Sequence, residues 1–290
     1  MMETESKVLQ VASSISEMKG VTRLFKENDL NIGFVPTMGC LHGGHLNLIK
    51  KSLESCDRTV VSIFVNPTQF GSNEDLESYP RQLQSDIKKL KEVGVDVLFH
   101  PTNEEMYPSG HRTYLQVKKI TKSLCGKSRP NLFNGVSTVV LKLFNIIQPN
   151  KAYFGEKDWQ QLAVIEALVE DLNLDIALIR VPIVREADGL AMSSRNCYLS
   201  PQERITALSL SRALKQALNI IRQGTTSAKV ISHLIQQCLL EKGEVEIDYI
   251  SICDPKSFKE KEQICDRTLI ALAVKIGKSR LIDNCIIEEF

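Results

Sequence analysis

The chain has 290 residues, 43% hydrophobic and 24% charged, enough for one large domain or two ordinary ones with real cores. A formal net charge of +1 offers no basic field for nucleic acid, and no apolar run reaches membrane-spanning length, the longest being broken by Lys142 and Lys275. The eight cysteines include no Cys-x-x-Cys pair and no zinc-ligand spacing, and Met1 to Lys7 is polar and acidic, unlike a secretory leader or transit peptide, so free thiols in a cytoplasmic protein are expected.

In chain order, Val8 to Val11 reads as a short strand, and Ser13 or Ser14 caps a helix to Asn28. Ile32 to Val35 is an apolar run of strand length that Pro36 and Gly39 should stop. Leu46, Ile49 and Leu53 then recur at helical spacing. Thr59 to Val65 reads as a strand covered on both faces, ending in the polar loop Asn66 to Gly71. Leu83 to Val93 predicts a helix and Val95 to Phe99 another buried strand. Tyr114 to Ile120 reads as a strand outside this order, and Arg129-Pro130 and Gly135 precede a helix over Ser137 to Ile147. Ala152 to Phe154 is a short strand opening into Gly155 to Gln161 and a further helix, and Ile176 to Val184 is a strand interrupted at Pro182.

After Arg185 the character changes. Ser200-Pro201-Gln202-Glu203 is a capping box with proline at the first helical position, and Gly224 can end the helix it starts. A second helix spans Ser227 to Leu240. Strands follow at Val245 to Tyr249, Thr268 to Ile276 and Leu281 to Ile287. The pattern predicts an α/β fold: a Rossmann-like doubly wound parallel sheet over 1–185, with a smaller C-terminal α+β domain over 186–290. Such sheets bind ligands at the carboxyl ends of their strands.

Three segments carry chemistry. Gly39 to His45, with His42 and His45 in a His-x-Gly-His pattern, lies where a strand turns into a helix. Glycine lets an anion approach the backbone, a helix N-terminus favours negative charge, and imidazoles donate to phosphate oxygens. Lys157 and Asp158 sit at a second strand-to-helix turn. Met192-Ser193-Ser194-Arg195 is a hydroxyl-rich cationic stretch at the expected hinge, suited to closing on a nucleotide. Singly, the last two read more readily as a solvated helix start and an ordinary linker. Together the three suit transfer of a nucleotidyl group, a reaction catalysed by positioning and cationic stabilisation without a protein nucleophile.

The segments Pro36 to His45, Val61 to Phe70, Phe154 to Gln161 and Arg185 to Asn196, in that order, with the ending Arg280-Leu281-Ile282-Asp283-Asn284, resemble the pantoate–β-alanine ligase (pantothenate synthetase) family of the HIGH/KMSKS nucleotidyltransferase superfamily. The resemblance implies that ATP and Mg²⁺ convert pantoate to a pantoyl adenylate, whose acyl group passes to β-alanine. It implies ATP contacts at Met38, Gly39, Cys40, Leu41, His42, Gly43, Gly44 and His45, at Gly155, Glu156, Lys157 and Asp158, at Val184, and at Met192, Ser193, Ser194 and Arg195. His42, His45, Lys157, Ser193, Ser194 and Arg195 would stabilise the transition state. Gln69 and Gln161 would grip pantoate, with Asn66 and Tyr79 nearby, and Asp86 would contact Mg²⁺. The C-terminal domain would act as a lid. A homodimer is implied, with Thr59 to Val65 and nearby helix faces as candidate interface. Gly43 and Leu132 depart from the family pattern, which commonly has an acidic residue and a histidine there, and Ser85-Asp86 offers one carboxylate where relatives can have two. Two other readings remain: a different small-molecule nucleotidyltransferase, and a non-catalytic nucleotide sensor.

Overall fold

The computed structural model describes residues 8–71, 74–241 and 243–288, so Met1 to Lys7 lies outside them. The elements are β1 (Gln10–Ala12), α1 (Ile15–Glu27), β2 (Ile32–Thr37), α2 (Gly43–Ser55), β3 (Arg58–Ile63), α3 (Leu83–Val93), β4 (Val97–Phe99), α4 (Asn103–Met106), α5 (Cys125–Ser128), α6 (Leu132–Ile147), β5 (Lys151–Gly155), α7 (Trp159–Asp171), β6 (Ala177–Val181), α8 (Pro201–Arg222), α9 (Ala228–Leu240), β7 (Glu246–Cys253), β8 (Thr268–Ile276) and β9 (Ser279–Ile287). They form two compact units. One runs to Val117 and adds Asn131–Glu156 and Val164–Pro182; the other holds Lys118–Pro130, Lys157–Ala163 and the chain from Ile183 onward.

The first unit is a six-stranded sheet in the order β1-β4-β3-β2-β5-β6, every pair parallel. From β2 the chain winds outward through β3 and β4, then returns to β5 on the other side of β2. The β2/β5 junction is therefore the topological switch point, where open α/β sheets take their ligands. Successive side chains of β2 serve opposite faces. Val35 joins Ile49 of α2 and Leu90 of α3 in one core, while Phe34 meets Phe144 of α6 edge-on with ring centroids 6.3 Å apart. On that second face Thr22 of α1 donates to the Ile147 carbonyl. Ser14 caps α1 in a reciprocal box with Glu17, and Ser200 caps α8 in the same way with Glu203.

Several boundaries differ from expectation. β2 continues through Pro36 to Thr37. Thr37 gives its carbonyl to Phe64 on the β3 side, so Pro36 faces the β5 side, where pairing ends at Phe34, and its missing N–H breaks no ladder bond. Tyr114 to Ile120 forms no strand: Tyr114 is exposed, and the Leu115 N–H goes to the Thr138 hydroxyl at 2.9 Å. Gly135 lies inside α6 rather than before it. The interface candidate Thr59 to Val65 is largely β3, an interior strand hydrogen-bonded to β2 and β4 with Val60 and Val61 fully buried, so it has no free edge to offer a second copy.

In the second unit β7, β8 and β9 form an antiparallel sheet. β8 is buried at every position but Lys275, so both of its faces need a cover. Ile270, Leu272 and Val274 pack with Leu210 and Leu214 of α8 and Ile231 and Ile235 of α9. Leu269 and Ala271 pack with Leu124, Trp159 and Phe258. That second cover is why Lys118–Pro130 and Lys157–Ala163 belong here, and the Trp159 indole donates to the Pro255 carbonyl at 2.9 Å. All eight cysteines are free, and among the described residues no helix is long and apolar enough to cross a membrane.

Candidate active site

The turn after β2 is built from unusual backbone. Thr37 Oγ1 donates to the Ser62 carbonyl at 2.8 Å and accepts the Gly39 N–H at 3.1 Å. Gly39 (φ 83°) and Cys40 (φ 49°) both lie in the left-handed region, which is costly for Cys40. Asp86 on α3 takes the Cys40 N–H on Oδ2 and the Leu41 N–H on Oδ1, each at 2.8 Å. His42 then caps α2: its Nδ1 accepts the Gly44 N–H at 3.1 Å, while His45 Nδ1 accepts the His42 N–H at 3.4 Å. The two rings lie 4.0 Å apart, centroid to centroid. An Nδ1 that accepts a hydrogen bond carries no proton, so each neutral ring holds its proton on Nε2 as a donor. Gly43 and Gly44 fill the first two helical positions between them.

The loop after β3 is a 3-10 turn, Pro67–Gln69. Asn66 is its hub and is 1% exposed. Its amide donates to Gln69 Oε1 and to the Gly135 carbonyl, both at 3.1 Å, and its oxygen accepts from the Thr68 N–H, the Thr68 hydroxyl and the Tyr107 hydroxyl. Gln69 Nε2 points at Met38 Sδ, 3.0 Å away, which ties this loop to the histidine turn. Asn66 therefore stands behind Gln69. Tyr79 is buried edge-on to Phe70, with ring centroids 5.9 Å apart. Gly155 and Glu156, both half-buried, close β5 beside β2.

In the second unit a narrow cleft is lined by Lys157, Leu190, Ser193, Asn196, Ile282 and Asp283. Lys157 Nζ is 3.8 Å from Asp158, and its carbonyl accepts from Asn284 Nδ2 at 2.9 Å. Arg185 makes a two-point ion pair with buried Asp283 at 2.7 and 2.9 Å, and this bond holds the guanidinium pKa above its ordinary value. The segment between doubles back on itself: Arg185 bridges Ala191, and the Val184 carbonyl takes the Met192 N–H at 3.0 Å. Ser193 caps the 3-10 turn Ser194–Tyr198 by accepting the Arg195 N–H. Ser194 is 9% exposed and Arg195 half-buried. Of the adjacent glutamines on α7, Gln160 is consumed by structure, accepting from the Cys125 N–H and donating to the Ile120 and Ser123 carbonyls. Gln161 is half-buried beside it.

The first unit thus gathers Met38 to His45, Asn66, Gln69, Tyr79 and Asp86, with Gly155 at the end of neighbouring β5 and Glu156 directly after it. The second gathers Lys157 with Ser193, and Val184 with Met192. Residue patterns alone missed the supports: Tyr107, Gly135, Asp283 and Asn284. Asp283 and Asn284 did carry a signal, as part of the distinctive ending Arg280 to Asn284.

The pantoate-beta-alanine ligase family model matches residues 10–286. The chain is 52% identical over 281 residues to the pantothenate synthetase of Acetivibrio thermocellus, covering 97% of this chain and 100% of that one. It is also 52% identical, over 280 residues, to that of Heliobacterium modesticaldum, with 97% and 100% covered. Among solved structures, pantothenate synthetase from Thermus thermophilus superposes with a TM-score of 0.90 at 41% identity, covering 95% of this chain and 98% of that one. The Francisella tularensis ligase, complexed with beta-gamma ATP and beta-alanine, gives 0.79 at 38%, covering 96% and 98%. With a family model spanning nearly its whole length and relatives half identical to it from end to end, the chain belongs to the pantoate–β-alanine ligase family.

Proposed function

We propose that the chain condenses pantoate with β-alanine at the expense of ATP in two steps. A pantoate carboxylate oxygen attacks the α-phosphorus, the bond to the β-phosphate oxygen breaks, and pyrophosphate leaves. The β-alanine amine then attacks the acyl carbon of the pantoyl adenylate, giving pantothenate and AMP with loss of one proton. The first step gathers negative charge around the α-phosphorus, and the residues that answer it are donors rather than nucleophiles.

The observation that carries this reading is the histidine turn. Two imidazoles with Nδ1 committed to backbone N–H groups keep Nε2–H as a fixed donor, at the start of a helix and the carboxyl end of a central strand. We assign His42 and His45 to the phosphates on that ground, with Lys157, Ser193, Ser194 and Arg195 adding cationic and hydroxyl donors. Met38 to Leu41, Gly155, Glu156, Asp158, Val184 and Met192 contribute nucleotide contacts. Gln69 and Gln161 hold pantoate, since an amide donates to one oxygen and accepts from another. Among the described residues no three His, Cys, Asp or Glu side chains gather as a metal cage, so Mg²⁺ fits here as an ion carried on the triphosphate by phosphate oxygens and water. We also infer a cytoplasmic homodimer, supported by the family likeness.

The test is direct. Purified protein mixed with ATP, Mg²⁺, pantoate and β-alanine should yield pantothenate and AMP by mass spectrometry. His45→Ala should slow pyrophosphate release about a hundredfold or more, the loss typical of a transition-state donor, with the fold left intact by circular dichroism. ATP binding without turnover would instead favour a nucleotide sensor, and near-normal pyrophosphate release by the variant would remove His45 from the chemistry.

A further inference from the structure

Asp86 is a carboxylate with 0% of its surface exposed, on the first turn of α3. Burying a charge is expensive unless it is paired and hydrogen-bonded. Both of its oxygens are engaged with one stretch of backbone: Oδ2 with the Cys40 N–H and Oδ1 with the Leu41 N–H. Lys89, one helical turn on, supplies the countercharge at 3.9 Å and donates to the Leu41 carbonyl at 2.6 Å. Leu41 is thus held by both its N–H and its C=O, from side chains on the same helix. The stretch being held includes Cys40 with φ 49°, a conformation that a side-chain-bearing residue leaves unless its surroundings fix it. A Cβ on Gly39 would sit 3.1 Å from Asp86 Oδ2, so the turn and the carboxylate are fitted closely. The next residue is His42, the cap of α2 and one of the two stacked rings.

We infer that Asp86, with Lys89, is a positioning residue for adenylate formation: it holds Cys40 and Leu41 in place and thereby fixes where the His42–His45 pair presents its donors. The activity arm of this inference rests on the ligase reading above. It gives Asp86 a role other than the Mg²⁺ contact that the resemblance implies, because the carboxylate is fully buried with each oxygen turned to a backbone N–H.

Asp86→Asn is the discriminating variant. The amide has the same shape but turns an NH₂ toward a backbone N–H, so one bond is lost and two donors meet. Amide hydrogen exchange of residues 40–41 should rise about tenfold or more, the consequence of losing one such bond, while exchange across β3 stays as in the parent. Pyrophosphate release at saturating ATP and pantoate should fall about a hundredfold, as for a displaced catalytic donor, with the KM for pantoate and the Mg²⁺ concentration for half-maximal rate unchanged. Unchanged exchange at 40–41 overturns the inference, and so does activity restored by excess Mg²⁺, which marks a metal contact. If Asp86→Asn does not fold, Lys89→Met removes the Leu41 carbonyl bond and the countercharge while leaving both N–H bonds to Asp86, and should move exchange and rate in the same directions. If the parent protein releases no pyrophosphate, the ligase reading fails, and the exchange measurement still decides the clamp.

Discussion

Gln69 illustrates how much of a site residue's work is done by its neighbours. Its amide oxygen is fixed by Asn66 Nδ2, and Asn66 is fixed by Gly135, Thr68 and Tyr107. The Tyr107 hydroxyl donates to Asn66, and burial raises its pKa above the ordinary phenol value, which extends that donor further into alkaline pH. An amide held this rigidly loses little rotamer entropy when a ligand arrives. Gln69→Ala should therefore weaken pantoate binding about tenfold to a hundredfold, the range for hydrogen bonds to a charged group, and leave ATP binding nearly unchanged. Isothermal titration with each ligand checks this, and equal losses for both would place Gln69 elsewhere. The glutamine itself was legible from its motif; Tyr107 was not, because a tyrosine 41 positions downstream of Asn66 gives no local sign that it closes a hydrogen bond.

Among elements, periodicity found most of the helices and strands, because an apolar stripe or a buried run is a property of the segment itself. It failed where a neighbour decides. In the sequence Gly135 reads as a residue before its helix. It sits inside α6 because a Cβ there would meet the Thr68 carbonyl oxygen at 2.4 Å and the Gln69 nitrogen at 2.6 Å. The absent side chain lets α6 and the 3-10 turn carrying Gln69 touch backbone to backbone. Gly135→Ala improves helix propensity by about 1 kcal/mol, yet the overlap should cost about 3 kcal/mol, a net loss. Urea unfolding should show lower stability, and pantoate affinity should fall because the turn must move. A stabilised variant with native pantoate affinity would mean that the turn yields freely. The same kind of dependence hid Pro36, harmless only because β5 stops pairing before it.

Across the molecule, the two units carry separate apolar cores, and the second takes in segments that no break in composition marks. Leu124 and Trp159 belong there because β8 needs cover on both faces, a requirement of packing rather than of their own sequence. The eight cysteines are all free, and their environments differ enough to report on both packing and ligand binding. Cys197 and Cys265 are exposed. Burial pushes the Cys253 thiol up to about 11 and the Cys285 thiol up to about 12, the latter with help from the Asp283 charge. A raised thiol pKa lowers the reactive thiolate fraction, so at pH 8 Cys253 should be ionised to about one part in a thousand. Timed alkylation read by mass spectrometry should label Cys197 and Cys265 first, half-buried Cys285 slowly for want of thiolate, and buried Cys253 only on unfolding. Cys197 also donates its S–H to the Ser194 carbonyl, inside the turn assigned to phosphate. Saturating ATP should therefore slow labelling of Cys197 while leaving Cys265 as it was. Equal rates at Cys197 with and without ATP would remove the Met192 to Arg195 segment from the nucleotide site, and early labelling of Cys253 would contradict the packing of β7.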